Sequence, residues 1–318
     1  MQKVLILGGH GFIGSHTSYK FGLAGVKVGV VDCYHQYFTF PDKEYKKVLQ
    51  QRITHADAKQ VFVGKIEDHD FMDEVFSSFR PDVVVHLATY PNVHMVKRNP
   101  FDATGNMINA TIITLDLCVK YKVKKIVFAS SSMAYGHFQV DAPTEEHPTL
   151  PMSLYGTYKL VGERMCHAWN KEKGLNFVIM RPSALYGTRD MITRVISKMT
   201  ESAIKNNKII VNGLNNRLDF SWVEDVAEAF VRVSYKDNII NETFNCTRGY
   251  GRTILEAAKL VQQECGGELI EGEQDPLTSN RDTLNSDKLK KMTGWNPKVD
   301  IEEGIPRFIK WFRATHNV

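Results

Sequence analysis

Short apolar runs alternate with longer amphipathic stretches through the first half of the chain. The runs are apolar at nearly every position, which is typical of strands buried on both faces of a parallel sheet. A first helix follows the first strand and ends near residue 24. The strands are predicted at 3–7, 26–31, 61–63, 82–86, 124–129 and 176–180. Further helices are predicted at 68–79, 101–121 and 153–173. The alternation predicts an α/β fold with a doubly wound parallel sheet and ligands at the carboxyl ends of its strands.

The rhythm changes after residue 181, where segments become shorter and more mixed. We predict two parts: residues 1–181 form the sheet domain, and residues 182–318 form a smaller α/β lobe, with some crossover of the chain between them. A cleft should lie between the two parts. Residues 33–60 are predicted to be a loop with a short helix around KEYKKVLQQR. The later segments are a helix near 190–206, strands IIVNG and FNCT, and helices from about 224, from about 253 and over 301–314.

Composition narrows the class of protein. The 318 residues are 43% hydrophobic and 24% charged, which is typical of a globular chain with a full core. The apolar runs are too short for a membrane span or a signal peptide, so we expect a cytoplasmic protein. Five scattered cysteines without a CxxC pair indicate free thiols. A net charge of +4 is too small for nucleic-acid binding, and the histidines lack metal-ligand spacing, so we expect no metal.

A glycine-rich turn, GGHGFIG, follows the first strand and opens a helix. Gly8, Gly11 and Gly14 allow the backbone to turn tightly and to approach a pyrophosphate at the helix N-terminus. Asp32 ends the second strand, where a carboxylate can accept hydrogen bonds from an adenosine ribose, which favours NAD over NADP. The alternative is a structural turn in another kind of α/β protein.

The segment YGTYK places Tyr155 and Lys159 four residues apart, on one face of a predicted helix. A nearby ammonium group favours the phenolate and should lower the pKa of Tyr155, giving a group that exchanges a proton near neutral pH. The alternative is a chance pair on a surface helix. Tyr158 offers a second phenol, but its position in the helix should point it elsewhere.

Taken together, these motifs resemble those of the extended short-chain dehydrogenases/reductases of the nucleotide-sugar epimerase/dehydratase family. The resemblance covers nearly the whole chain and implies a Rossmann-type fold, NAD as cofactor and a nucleotide-diphosphate sugar as substrate. It also implies a homodimer formed through the helices at 101–121 and 153–173. The matching segments are GGHGFIG, VVVHLA, ASSSMAYG, PTEEHP, YGTYK, RPSALYG, LDFSWVEDVAEA, FNCTRG and GWNP.

The resemblance also implies roles for individual residues. Gly8, Gly11, Phe12, Ile13, Gly14 and Asp32 would hold the pyrophosphate and ribose, with Ile66 beside the adenine. Leu87, Ala88 and Asn106 would line the cofactor, and Ser130, Tyr155, Lys159 and Pro182 would face its nicotinamide half. Lys65 stands where the family usually has an aspartate, which alters that adenine contact.

The segment after the fifth strand bears on the reaction. By resemblance, Ser131 lies beside the catalytic Tyr155 and Lys159 and shuttles the proton of the sugar 4-hydroxyl. The family's 4,6-dehydratases carry Asp-Glu at the next two positions, and its uronate decarboxylases carry a glutamate at the second. This chain has Ser132 and Met133, and a thioether cannot exchange a proton. We therefore predict a nucleotide-sugar 4-epimerase. The alternatives are a 4-dehydrogenase that releases its 4-keto product and a non-catalytic NAD-binding sensor.

The match is thinner at the substrate end. Ala184 replaces an asparagine that is common in the family, and Leu218 replaces an arginine for which the adjacent Arg217 could substitute. Arg281 matches another family arginine and is the better candidate to bind phosphate, although either arginine could be a solvated surface charge. These departures suggest a substrate other than the commonest UDP-hexoses. The predicted substrate-binding residues are Thr89, Ser131, Ser132, Ala184, Arg217 and Arg281.

Overall fold

A computed structural model describes residues 2–37, 41–191, 194–273 and 281–318. The strands are β1 (Lys3–Leu7), β2 (Lys27–Asp32), β3 (Gln60–Val63), β4 (Val83–His86), β5 (Lys125–Ala129), β6 (Phe177–Pro182), β7 (Ala184–Tyr186), β8 (Lys208–Asn212), β9 (Arg217–Leu218), β10 (Phe220–Trp222), β11 (Glu242–Cys246), β12 (Arg252–Thr253) and β13 (Glu268–Gly272).

The helices are α1 (Phe12–Leu23), α2 (Asp42–Ala56), α3 (His69–Phe79), α4 (Val93–Arg98), α5 (Pro100–Thr104), α6 (Ala110–Lys120), α7 (Leu154–Lys173), α8 (Val195–Asn206), α9 (Val223–Tyr235), α10 (Ile254–Cys265), α11 (Asp287–Thr293) and α12 (Ile301–His316). A π-helical turn, Gly105–Asn109, joins α5 to α6, and a 3-10 turn, Ser132–Ala134, follows β5.

The main sheet confirms the predicted doubly wound arrangement. Within the described ranges it has seven parallel strands in the order β11-β6-β5-β4-β1-β2-β3. The order reverses beside β1, which pairs with β2 on one side and β4 on the other, so the connections leave the sheet in opposite directions there. This switch point opens a crevice at the carboxyl ends of the strands, where ligands bind in such folds.

Two layers of helices cover the sheet. One apolar cluster joins one face of the sheet to α1 and α9, and a second joins the opposite face to α3, α6 and α7. All described residues of the central strands β4 and β5 are buried, including their polar members. This double coverage explains why the strands are nearly continuous apolar runs.

The second part of the chain has a core of its own, but it also contributes to the sheet. A third cluster joins α8, α10 and α12 with β8 and the short strand pairs β7–β10 and β9–β12. In contrast, β11 pairs with β6 at the edge of the main sheet, and α9 packs on α1. Two elements that follow residue 181, β11 and α9, therefore pack with the part before it. The two-lobe division stays a prediction.

One local prediction was right about the element and wrong about its length. The sequence predicts a loop over residues 33–60 with a short helix around KEYKKVLQQR, and the helix found there, α2, has fifteen residues, Asp42–Ala56. Its buried side chains are Val48, Arg52 and Ala56, spaced four apart on one face. Because only this narrow stripe is buried and one of its members is charged, the apolar spacing in the sequence is faint. No helix among the described residues is long and apolar enough to cross a bilayer.

Candidate active site

A cleft at the carboxyl ends of β1, β4 and β5 brings together most of the predicted site residues. Glycine turns, the end of β2 and the start of α7 form its walls. The predicted residues that line it are Gly8, Gly11, Phe12, Ile13, Gly14, Asp32, Ile66, Leu87, Ala88, Thr89, Asn106, Ser130, Ser131, Tyr155, Lys159 and Pro182.

The glycine-rich turn leaves no room for side chains. Gly8 has a φ of +75°, and a Cβ atom at Gly14 would lie 2.1 Å from the Gly8 carbonyl oxygen. A Cβ atom on Gly8 would lie 2.8 Å from the main chain of Ala88 at the end of β4. The helix α1 begins at Phe12, and its N-cap residue Gly11 provides no side-chain cap. The turn is therefore a main-chain cradle without side chains at Gly8 and Gly14, and it leads into the first N–H groups of α1, which lack intrahelical partners and suit a pyrophosphate.

Asp32 is held at the mouth of this cradle. Its carboxylate accepts hydrogen bonds from the main-chain N–H groups of His10, at 3.0 Å, and Tyr34, at 2.9 Å. Some buried polar atoms of the cleft residues have no partner in the described part of the chain: Nε2 of His10, Oγ1 of Thr89 and Oδ1 of Asn106. Unsatisfied buried groups are rare in folded proteins. Their position along the cleft fits a polar ligand as long as a dinucleotide.

The three predicted catalytic residues converge at the inner end of the cleft. Ser153 caps α7 by accepting a hydrogen bond from the Gly156 N–H, which fixes the first turn carrying Tyr155. The Lys159 ammonium donates to the Ala129 carbonyl at 2.7 Å, and its nitrogen lies 5.8 Å from the centre of the Tyr155 ring. The Ser131 side chain is hydrogen-bonded to the Tyr155 hydroxyl.

The electrostatics of this trio differ from the sequence-based expectation. Burial raises the pKa of Tyr155, while the hydrogen bond from Ser131 and the charges of Arg194 and Arg281 act in the opposite direction. Burial also lowers the pKa of Lys159 to about 7. The predicted lowering of the Tyr155 pKa is therefore wrong for the chain by itself, because desolvation outweighs the nearby cations.

Tyr158 behaves as predicted. Its hydroxyl pairs with Oγ1 of Thr104 at 3.0 Å, on the side of α7 that faces α5. It is therefore directed away from the cleft, and Tyr155 is the phenol of the pair.

A buried ionic network behind the cleft was missed by the sequence analysis. Glu163, one helical turn after Lys159, accepts hydrogen bonds from Nε and Nη2 of Arg181, at 2.8 and 2.6 Å. It also accepts a short hydrogen bond from the hydroxyl of Ser130, a cleft residue. The negative charge of Glu163 opposes the lowering of the Lys159 pKa. The spacing of four between Lys159 and Glu163 was the signal available in the sequence.

The remaining predicted residues lie outside the cleft lining. Ser132 is fully buried, and its hydroxyl accepts a hydrogen bond from Nη1 of Arg281 at 2.7 Å and donates to Ser183 at 3.3 Å. Arg217 is engaged elsewhere, with Asp282 at 2.7 Å and the Gly251 carbonyl.

Two further predicted residues are also displaced from the cleft. Ala184 belongs to β7 and pairs with Phe220, which directs that segment into the small sheet. Lys65 is exposed. Among the described residues, no three histidine, cysteine or carboxylate side chains cluster as they would to hold a metal ion.

Comparison with known proteins assigns the family. The model of the NAD dependent epimerase/dehydratase family matches residues 4–247. The chain belongs to this family. Its cofactor is NAD, and the glycine cradle, the held Asp32 and the unpartnered polar atoms fit that cofactor.

Individual relatives are similar over their whole length. A Methanocaldococcus jannaschii protein that carries a provisional name as a UDP-glucose 4-epimerase is 32% identical, over 98% of both chains. The structure of Thermotoga maritima UDP-glucose 4-epimerase with UDP-glucose is 29% identical, with a TM-score of 0.88 over 99% of this chain and 100% of that one. The Thermus thermophilus UDP-glucose 4-epimerase with NAD is 26% identical, with a TM-score of 0.85 over 98% and 99% of the two chains.

The family includes enzymes with other reactions. A UDP-glucuronic acid decarboxylase of Xenopus tropicalis and a dTDP-D-glucose 4,6-dehydratase of Bos taurus are each 27% identical, over 98% and 99% of this chain and 72% and 90% of their own. Membership therefore establishes an NAD-dependent enzyme of nucleotide-sugar chemistry, and the site has to discriminate among its reactions.

Proposed function

We propose that this protein is an NAD-dependent nucleotide-sugar 4-epimerase. The observation that carries the proposal is the chemistry of the two residues after Ser131. Ser132 is buried and hydrogen-bonded to Arg281, and Met133 is a buried thioether. Neither can serve as the acid and base that elimination of water or loss of a carboxyl group requires.

The carboxylates of the cleft also argue against elimination. Among the described lining residues these are Asp32 and Asp190. Asp32 is held by two main-chain N–H groups, and Asp190 is paired with Arg194. Both are therefore committed to other partners.

In the proposed mechanism, Tyr155 takes the proton of the sugar 4-hydroxyl, directly or through the hydroxyl of Ser131. NAD, when bound, would supply the acceptor and donor for the hydride of the sugar C4. The 4-keto sugar turns in the pocket between loss and return of this hydride, so that Tyr155 returns the proton to the opposite epimer. Lys159, with a pKa of about 7, can hold or release a proton beside the tyrosine near neutral pH.

The cofactor is held by the chain's own groups along the cleft. We propose that the N–H groups at the start of α1 bind its diphosphate and that Asp32 binds the adenosine ribose. Ser130, Lys159 and Pro182 would face the nicotinamide half. The cationic ring, when bound, acts on the Tyr155 pKa in the same direction as Arg194 and Arg281, which offsets the effect of burial.

For the substrate we propose a nucleoside-diphosphate sugar with a free 4-hydroxyl. Arg281 supports this choice, because its buried guanidinium acts on Tyr155 and its Nε atom has no partner among the described residues. Such a group suits an anionic oxygen. Three of the relatives above are named for UDP-glucose, so UDP-hexoses head the panel to be tested, and the departures at Ala184 and Leu218 are the reason for including the other nucleotide sugars.

The test combines a sugar panel with two tyrosine variants. Purified protein is incubated with NAD and UDP-, GDP-, CDP- and dTDP-sugars, and proton NMR of the sugar is recorded together with NADH absorbance. We expect a C4 epimer without lasting NADH. Tyr155→Phe should lose about 10²- to 10⁴-fold in rate, since it lacks the proton-transferring hydroxyl. Tyr158→Phe, the matched control, should retain most activity.

The other outcomes have distinct meanings. Lasting NADH with a 4-keto product would replace the epimerase by a 4-dehydrogenase. A 4-keto-6-deoxy sugar or a decarboxylated product would refute the interpretation of Ser132 and Met133. A Tyr155→Phe variant as active as the parent would refute the catalytic site.

We also propose a homodimer formed through α6 and α7. Both helices carry exposed apolar side chains, including Ile112 on α6 and Val161 on α7, which a partner could cover. Light scattering after gel filtration should give twice the chain mass, and Val161→Glu should reduce it. A monomer at all concentrations would contradict this assembly.

A further inference from the structure

Three charged side chains meet beside the glycine-rich turn, outside any motif discussed above. They are Arg52 of α2, Asp190 of the segment after β7, and Arg194 at the start of α8. All three line the cofactor cleft. The first two are almost fully buried, and Arg194 is partly exposed.

Arg194 lies close to the N-terminus of α1. Its guanidinium carbon is 4.8 Å from the centre of the ring of Phe12, the first residue of that helix. Nη1 of Arg194 donates to the Asp190 carboxylate, four residues earlier. This ion pair holds the side chain in place, and the guanidinium makes no other hydrogen bond to the described residues.

Arg52, on helix α2, holds the main chain of the segment that carries Asp190. Its Nε and Nη2 atoms donate to the Arg189 carbonyl, at 2.9 and 2.7 Å. Its guanidinium carbon is 5.9 Å from the centre of the Phe12 ring. Burial lowers its pKa to about 10, so the side chain stays cationic at neutral pH.

The charges of this group do not cancel. Asp190 is bonded to Arg194, and the charges of Asp190 and Asp32 both act on Arg52. The Arg194 guanidinium therefore adds positive charge beside the first N–H groups of α1. A helix N-terminus already favours an anion, and arginine pairs well with phosphate oxygens. A dinucleotide brings its doubly charged diphosphate to this point in a doubly wound fold.

We propose that Arg194 binds the diphosphate of NAD, as a second anchor beside the glycine-rich turn. Asp190 aims its guanidinium, and Arg52 positions the segment through the Arg189 carbonyl. The site thus joins α2 and the start of α8, which are far apart in sequence, around one ligand. The inference rests on NAD as the cofactor and holds whichever reaction the enzyme catalyses.

The test uses the full chain freed of nucleotide, with binding of NAD, ADP and adenosine measured by calorimetry. Arg194→Gln should weaken NAD and ADP about tenfold or more, because a charge-assisted hydrogen bond to phosphate is lost. Its affinity for adenosine should stay within about twofold of the parent, because adenosine lacks the diphosphate. The dependence of ADP affinity on salt should also become less steep.

Three variants make the result specific. Arg189→Gln removes an adjacent arginine whose side chain does not line the cleft, and it should leave ADP affinity within about twofold. Arg194→Lys keeps the charge without the planar fork, so its ADP affinity should fall between those of the parent and Arg194→Gln. Asp32→Asn should weaken adenosine and ADP alike. Circular dichroism confirms folding before each titration.

Two results would overturn the proposal. The first is unchanged ADP affinity in Arg194→Gln. The second is a loss for adenosine as large as the loss for ADP, which would show that Arg194 only supports the fold. If Arg194→Gln does not fold, the Arg194→Lys titration decides in the same way. Neither result depends on the sugar assay, so the binding titrations and the proposed reaction are tested independently.

Discussion

The ionic network behind the cleft makes a sharp prediction about stability. Glu163 and Arg181 are buried, with side chains only 3% and 7% exposed, and they share two hydrogen bonds. Glu163→Ala leaves the Arg181 guanidinium buried without its counter-charge. Removal of one partner of such a pair costs about 3–5 kcal/mol. We expect the free energy of unfolding to fall by that amount, a large share of the ~5–15 kcal/mol typical of a folded protein.

A surface pair provides the matched control. Glu303 and Arg307 form an ion pair one helical turn apart, and both side chains are about half exposed (51% and 52%). Water already solvates both charges, so Glu303→Ala should cost less than about 0.5 kcal/mol. Urea titrations followed by tryptophan fluorescence measure both variants against the parent.

A double variant separates the lost charge pair from the lost packing. Glu163→Met combined with Arg181→Met removes both buried charges and should recover most of the stability, because no charge is left unpaired. The reasoning fails if Glu163→Ala costs no more than Glu303→Ala. It also fails if the double variant is less stable than Glu163→Ala, since the pair would then contribute mainly through packing.

Three other changes test separate features of the fold. Gly14→Ala places a Cβ atom 2.1 Å from the Gly8 carbonyl oxygen, so we expect NAD binding to be lost in calorimetry, and a variant that binds normally would contradict the close approach. Lys125→Met removes an ammonium that donates to three main-chain carbonyls at 2.7, 2.7 and 3.2 Å, and should cost roughly 2–4 kcal/mol in urea unfolding; a cost near zero would refute its structural role. Burial lowers the pKa of His16 to about 3 and that of His55 to about 4. The folded protein therefore disfavours protonation of both histidines. The free energy of unfolding is highest above pH 6.5 and decreases as the pH falls toward these values, by roughly 2 kcal/mol at pH 5 for His16. The gap between the urea midpoints at pH 7.5 and 5 should narrow in His16→Gln, with His55 retaining its own share, and an unchanged gap would contradict this origin.

Local patterns explain how much the sequence could predict. The runs KVLIL and KKIVFA indicate strands because a residue buried on both faces of a sheet has to be apolar at every position. The glycine turn and Asp32 are close in space because one helix and one strand connect them. Tyr155 and Lys159 share a face because helix geometry fixes a spacing of four. Each inference needed only the chain within a few tens of residues.

Helix α2 marks the limit of such patterns. Its buried face includes Arg52, a residue that a hydrophobic pattern assigns to solvent. The Arg189 carbonyl, on a distant segment, provides the hydrogen bonds that permit this burial. The strand β11 is a similar case, because its pairing with β6 depends on which edge of the sheet is open.

The sequence by itself determined the fold class and NAD as the cofactor, and it supplied the candidate NAD site and catalytic pair, because short-range geometry and residue type suffice for each. Tertiary structure alone decided the electrostatics: Tyr155 has a raised pKa because other segments bury it, and Arg281 meets Ser132 across 149 residues of chain. Arg194 reaches Phe12 in the same way. Desolvation and charge pairing depend on which distant side chains surround a group. The local pattern of residues along the chain does not predict those neighbours.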